Sequence, residues 1–107
     1  MLSFKQACKL AEVWVEIVTD GRAAIDKENI RTRSYGWLFP WNSKEYLADH
    51  SNFEASLVGN VPVFVDRFNG EIYVAGPAGI DWFAQYEASI PPARLKMTPE
   101  LPSWSDE

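Results

Sequence analysis

The sequence holds one cysteine, Cys8, and one histidine, His50. A lone cysteine rules out an internal disulfide and a thiolate metal cluster. A lone histidine leaves little for a metal site, which needs clustered His, Cys and acidic ligands. Long apolar runs are also missing: no stretch approaches the ~20 apolar residues that cross a bilayer. Lys5, Lys9, Glu12 and Glu16 interrupt the segment from Phe4 to Val18, so it is not the apolar core of a signal peptide. No glycine-rich phosphate loop or other cofactor motif occurs. Bases are scarce, ten against fifteen acids, for a net charge of −5. That sign argues against a nucleic-acid partner, whose phosphates need a basic surface. It suits a basic protein partner. Together these features predict a soluble cytoplasmic chain with no cofactor, no metal, no membrane and no nucleic acid.

What the sequence has in plenty is aromatic residues, at 14%, including five Trp. Its 107 residues suit a single domain. Ser3 and Gln6 have capping-box spacing and predict a helix from Ser3 to Thr19. Phe4, Ala7, Cys8, Ala11, Val15 and Val18 recur at helical spacing as its apolar stripe. Gly21 is placed to end it in the left-handed conformation. Cys8 lies on the stripe, where a small buried hydrophobe is expected rather than a reactive thiol.

Ala23 to Asp26 predicts a short strand, followed by a polar turn at Lys27, Glu28 and Asn29. Residues 30–42 predict one long strand. Its alternation puts Tyr35, Trp37, Phe39 and Trp41 on one face. This aromatic row is the floor of the core, an exposed binding patch, or an intermediate case with Trp37 and Phe39 buried and Tyr35 and Trp41 near the rim. Gly36 marks a bulge or a close backbone approach. Pro40 ends the strand or places it at an edge. Ser43 starts a helical turn that Asp49, His50, Ser51 and Asn52 break, within an irregular stretch to Gly59. Val61 to Asp66 and Glu71 to Ala75 predict a hairpin around Asn69-Gly70. A two-residue turn would pair Phe68 with Glu71. A bulged three-residue turn would pair Arg67 with Glu71, and is preferred because it opposes unlike charges. Pro77 breaks the second strand. Gly79 to Ser89 predicts a second long helix, which Pro91-Pro92 ends. Four of the seven prolines fall in residues 91–107, which predict an extended acidic tail, with Trp104 placed to pin it.

The order predicts an α+β domain at residues 1–90. A small antiparallel sheet of three to four strands would carry an N-terminal and a C-terminal helix on one face. Catalysis is not expected. Cys8 on a helix stripe and His50 in a polar loop do not form a nucleophile–base pair. The carboxylates are scattered and suggest no fixed pair across a cleft.

One ordered set of motifs goes further. It runs through Tyr35-Gly36-Trp37-Leu38-Phe39, Asn42-Ser43-Lys44-Glu45-Tyr46-Leu47, Gly59-Asn60-Val61-Pro62-Val63-Phe64-Val65-Asp66 and Asn69-Gly70-Glu71-Ile72-Tyr73-Val74-Ala75-Gly76. This set resembles the YrhB-like immunity proteins of bacterial polymorphic toxin systems, over roughly residues 1 to 90. The resemblance implies a cytoplasmic α+β protein that binds a cognate toxin and blocks it. It carries over no catalytic residues. The expected mode is stoichiometric occlusion by a few aromatic anchors, with acids speeding encounter with a basic toxin. The candidate contacts are Tyr35, Trp41, Tyr46, Asp49, Asp66 and Glu71. A homodimer through an exposed strand edge is a further expectation. The rival readings are a chaperone-like protein that binds unfolded clients and a small-ligand-binding domain.

Overall fold

Ser3 starts the first helix as its spacing predicts. Its side chain accepts from the Gln6 backbone N–H at 3.2 Å, and the Gln6 side chain accepts from the Ser3 N–H at 2.9 Å. This box satisfies N–H groups that a helix start otherwise leaves bare. The structure is a computed structural model that describes residues 1–56, 62–74 and 79–103. Helix α1 spans Phe4–Thr19 and closes through two left-handed residues, Asp20 (φ 54°) and Gly21 (φ 76°). The Gly21 N–H donates back to the Glu16 carbonyl at 2.8 Å. Phe4, Ala7, Cys8, Ala11 and Val15 are buried as the stripe predicts, but Val18 is exposed because it lies at the outer end of the helix.

The strands are β1 (Ala23–Ile25), β2 (Arg31–Arg33), β3 (Gly36–Phe39), β4 (Trp41–Ser43), β5 (Val63–Asp66) and β6 (Ile72–Val74). The remaining α-helices among the described residues are α2 (Lys44–Ala48), α3 (Gly79–Ser89) and α4 (Pro92–Leu95). Two antiparallel sheets result, a pair β1-β4 and a four-stranded sheet in the order β2-β3-β5-β6. The fold is α+β. Gly59 to Val61, Ala75, Pro77 and Trp104 lie outside the described residues, as does the side chain of Trp82.

The single long strand expected over residues 30–42 is three strands. Ser34 and Tyr35 form a tight turn that pairs Arg33 with Gly36. Pro40, which has no N–H to donate, sits where the chain leaves the large sheet for the small one. Its carbonyl still accepts from the Asp26 N–H at 2.8 Å. The aromatic row therefore divides. Trp37 and Phe39 point toward α1 with Val63 and Val65, all four fully buried, and Phe4 meets both rings at 5.9 and 6.0 Å. Burial of each such side chain contributes about 1.5–3 kcal/mol. Trp41 is half-buried beside Trp14. Tyr35, in the turn, no longer follows the strand alternation and joins Phe64 on the opposite face.

The hairpin register also differs from the expectation. Val65 pairs with Ile72 and Phe64 with Tyr73, so Asp66 stands opposite Glu71. The Asp66 N–H donates to the Glu71 carbonyl at 2.9 Å, and the Gly70 N–H donates to the Asp66 carbonyl at 3.0 Å. Gly70 takes the left-handed conformation, φ 72°. Charge pairing does not set the register here. The Asp66 side chain caps the turn instead, accepting from the Phe68 and Asn69 N–H groups at 2.7 and 3.2 Å. Ile72 thus shares a face with Val65.

The two long helices lie on opposite faces of the large sheet, not on one. α1 packs on the face of Trp37, Phe39 and Val65. Tyr86 of α3 packs on Phe64 and Tyr73, at ring distances of 5.3 and 5.2 Å. The strand alternation explains this, because Phe64 and Tyr73 form an aromatic pair on the face α1 leaves uncovered.

Residues 92–95 form a helical turn rather than an extended chain, and the segment after it is held to the body. Ser34 Oγ donates to the Leu95 carbonyl at 3.1 Å, Arg67 Nη1 to the Thr98 carbonyl at 2.9 Å and Trp37 Nε1 to the Glu100 carbonyl at 2.8 Å. The Glu100 carboxylate accepts from the Phe4 N–H at the start of α1, where the helix dipole favours an anion.

Candidate functional site

On the face opposite α1, three tyrosines meet three carboxylates. Tyr35 Oη donates to Glu87 Oε1 at 2.7 Å. Tyr86 Oη donates to Asp66 Oδ2, and Tyr73 Oη to Glu71 Oε2. Strands β5 and β6 supply Asp66 and Tyr73, α3 supplies Tyr86 and Glu87, and the β2–β3 turn supplies Tyr35. Phe64 lies beneath, with its ring near those of Tyr35, Tyr73 and Tyr86.

The hydroxyls are held protonated. Burial raises the Tyr35 and Tyr86 hydroxyls well above the usual tyrosine value, and the acceptor carboxylates Glu87 and Asp66 raise them further. The bond to Glu71, aided by burial, pushes Tyr73 up to about 12. Each phenol is thus a fixed donor that orients a carboxylate. A cavity of about 180 Å³ opens between Asp66, Tyr73, Tyr86 and Arg94. The Arg94 guanidinium lies over the Phe68 ring at 4.4 Å and forms part of its rim.

Three of the six candidate contacts, Tyr35, Asp66 and Glu71, belong to this cluster. Tyr35 is 2% exposed and Asp66 4%. Both lie under the surface, bonded to the α3 side chains Glu87 and Tyr86. Glu71 is exposed and Tyr73 half-buried.

The other three candidates lie elsewhere. Trp41 meets Trp14 of α1 at 6.2 Å, edge to face. Tyr46, on α2, stacks on His50 at 5.0 Å with the planes 10° apart. Asp49 follows α2, is exposed, and accepts from Ser51 Oγ at 2.6 Å and the Ser51 N–H at 3.1 Å. These bonds hold its carboxyl below the usual aspartate value. Ser43 caps α2, accepting from the Tyr46 N–H at 3.1 Å.

Sequence reasoning missed Tyr73, Tyr86, Glu87 and Arg67. The available signal was the Phe64–Tyr73 pair, visible only once the register is known. Arg67 is buried, and its Nη1 donates to the Ser34 and Thr98 carbonyls while Nε has no hydrogen-bond partner. Cys8 is buried with Sγ 3.3 Å from Glu12 Oε1. Burial and that carboxylate push the thiol up to about 12, which keeps it protonated at neutral pH and a poor nucleophile. Among the described residues, no three His, Cys, Asp or Glu side chains are grouped to hold a metal ion. Nor is any described helix long and apolar enough to cross a membrane.

Comparison with family models gives a match to Immunity protein 35 over residues 5–89. The chain belongs to the Immunity protein 35 family. Immunity proteins have a toxin as their partner, and toxin neutralisation is the function this membership implies. In this Immunity protein 35 chain the match takes in α1 after its first residue, Phe4, every described strand and all of α3. The carbonyl-bonded segment from Thr98 to Glu100 lies beyond it. Comparisons with curated proteins and with solved structures gave no match.

Proposed function

We propose that this chain neutralises its toxin in the bacterial cytoplasm by stoichiometric occlusion, as a binding protein and not as a catalyst. The observation that carries the reading is the tyrosine–carboxylate cluster on a chain of an immunity family. Fixed phenol donors aim Glu71 and Glu87 from a rigid sheet and helix, so a basic toxin surface would meet acids that need no reordering. Glu71 and the half-buried Tyr73 form the accessible rim, while Tyr35 and Asp66 support it from below. Trp41 on β4, Tyr46 on α2 and Asp49 just after α2 lie apart from this cluster, with Asp49 exposed and the two rings half-buried. The net charge of −5 favours encounter with a basic partner. The narrower kinship to YrhB-like proteins and polymorphic toxin systems belongs to the same reading.

The test is binding kinetics of the toxin with Asp49→Lys and Glu71→Lys variants. Association should slow about tenfold and become less sensitive to salt. Unchanged rates and salt dependence would reject the acidic encounter surface. A chaperone-like role through the aromatic strand has less support, because Trp37 and Phe39 are fully buried under α1.

A further inference from the structure

Helix α1 carries a second apolar stripe that its core contacts do not use. Leu10, Val13 and Ile17 recur at spacings of three and four, so they share one side of the helix. They are 38%, 41% and 74% exposed. The buried stripe of Phe4, Ala7, Cys8, Ala11 and Val15 occupies the other side. A contiguous exposed apolar strip on a rigid helix is costly to leave in water and marks an interface.

The charges beside the strip identify the occupant. Lys5, Lys9, Glu12 and Glu16 are exposed along one flank, with both bases in the N-terminal half and both acids in the C-terminal half. When two antiparallel helices pack, the same flank of each helix meets. The basic half of one α1 then lies against the acidic half of the other. A parallel arrangement would set this flank against the opposite, uncharged flank of the other helix and leave the charges without a counterpart. The distribution is self-complementary, as an isologous two-fold contact requires.

We infer that the outer face of α1 is a homodimer surface, on which a second copy of this chain packs antiparallel. Leu10 lies near Val13 of the other copy, and Lys9 near its Glu16, twice by symmetry. The strip supplies the apolar contact and the charges set the direction. The pairing of one 16-residue helix with another is a small interface, so the dimer forms at concentrations on the order of 10–100 μM.

The test is sedimentation of the full chain over a concentration series, with three variants at exposed positions and circular dichroism to verify folding. The wild type should pass from monomer to dimer, and Ile17→Glu should stay monomeric. Lys9→Glu alone and Glu16→Lys alone should each weaken dimerisation about tenfold or more, because like charges then meet twice. Mixed in equal amounts, these two variants should pair nearly as tightly as wild type. A wild type that stays monomeric at ~1 mM would overturn the inference. So would a mixture no tighter than either variant alone. A monomeric wild type in which Ile17→Glu abolishes toxin binding would also overturn it, and would give the strip to the toxin.

Discussion

The Tyr86 hydroxyl donates a hydrogen bond to the Asp66 carboxylate and ties α3 to the turn of the β5–β6 hairpin. The same carboxylate accepts from the Phe68 and Asn69 N–H groups. One buried side chain thus closes a turn and seats a helix. Both jobs bear on the proposed toxin-binding rim, since Glu71 and Tyr73 follow that turn.

Replacing Asp66 with Ala should cost more than replacing Tyr86 with Phe. Tyr86→Phe removes one hydrogen bond, worth about 1–2 kcal/mol. Asp66→Ala also leaves turn N–H groups without their acceptor, and about 2–4 kcal/mol is expected. Chemical denaturation of both variants measures this directly. Equal effects would mean that the turn cap contributes nothing.

The tyrosines make the fold sensitive to high pH. Their folded values lie above the ordinary 10.0, with Tyr73 at about 12 and Tyr35 and Tyr86 raised as well. Between pH 10 and 12 the unfolded chain loses phenolic protons that the folded chain keeps, so stability must fall as pH rises through that window. Below pH 10 their contribution is fully present. Alkaline denaturation should show this slope, and a triple Tyr→Phe variant at positions 35, 73 and 86 should flatten it.

Gly36 cannot accept a side chain. A Cβ there would lie 2.3 Å from the Val65 carbonyl oxygen and 2.5 Å from Phe64 Cζ. The first contact is backbone in the centre of the sheet and cannot give way. Gly36→Ala should destabilise by ~3 kcal/mol or more and reduce soluble yield. A thermal melt unchanged from wild type would contradict the close packing of β3 on β5.

The segment after α4 should stabilise the domain. Trp37 Nε1 and Arg67 Nη1 donate to the Glu100 and Thr98 carbonyls, and the Glu100 carboxylate sits at the start of α1. Ending the chain at Ile90 removes all three contacts. A loss of about 2–4 kcal/mol and a red-shifted tryptophan fluorescence are expected. A truncated chain as stable as the full one would show these bonds to be incidental.

Much of the fold was legible because local rules governed it. Ser3 and Gln6 mark the start of α1, Gly36 the close approach and Pro40 the change of sheet. Of the aromatic row, Trp37 and Phe39 lie in the core as that reading expects, but Tyr35 lies on the other face, because strand alternation holds only while the strand continues and the Ser34–Tyr35 turn ends it. The hairpin register failed because cross-strand charge was weighed above the capping power of Asp66. That register decides which face receives Tyr73, and hence where α3 docks. The tyrosine cluster joins β5, β6, α3 and a turn, so no window of sequence displays it. Among the site residues, the sequence marked Tyr35, Asp66 and Glu71, but their roles depended on that unseen packing.

The central claim is that this chain binds one toxin tightly and thereby silences it. Its most direct test is co-expression with its cognate toxin, reading complex formation by pull-down and growth of the host. The account predicts a stable complex with one chain of this protein per toxin, and growth restored only when both are present. Failure to form a complex, with growth still arrested by the toxin, would contradict it.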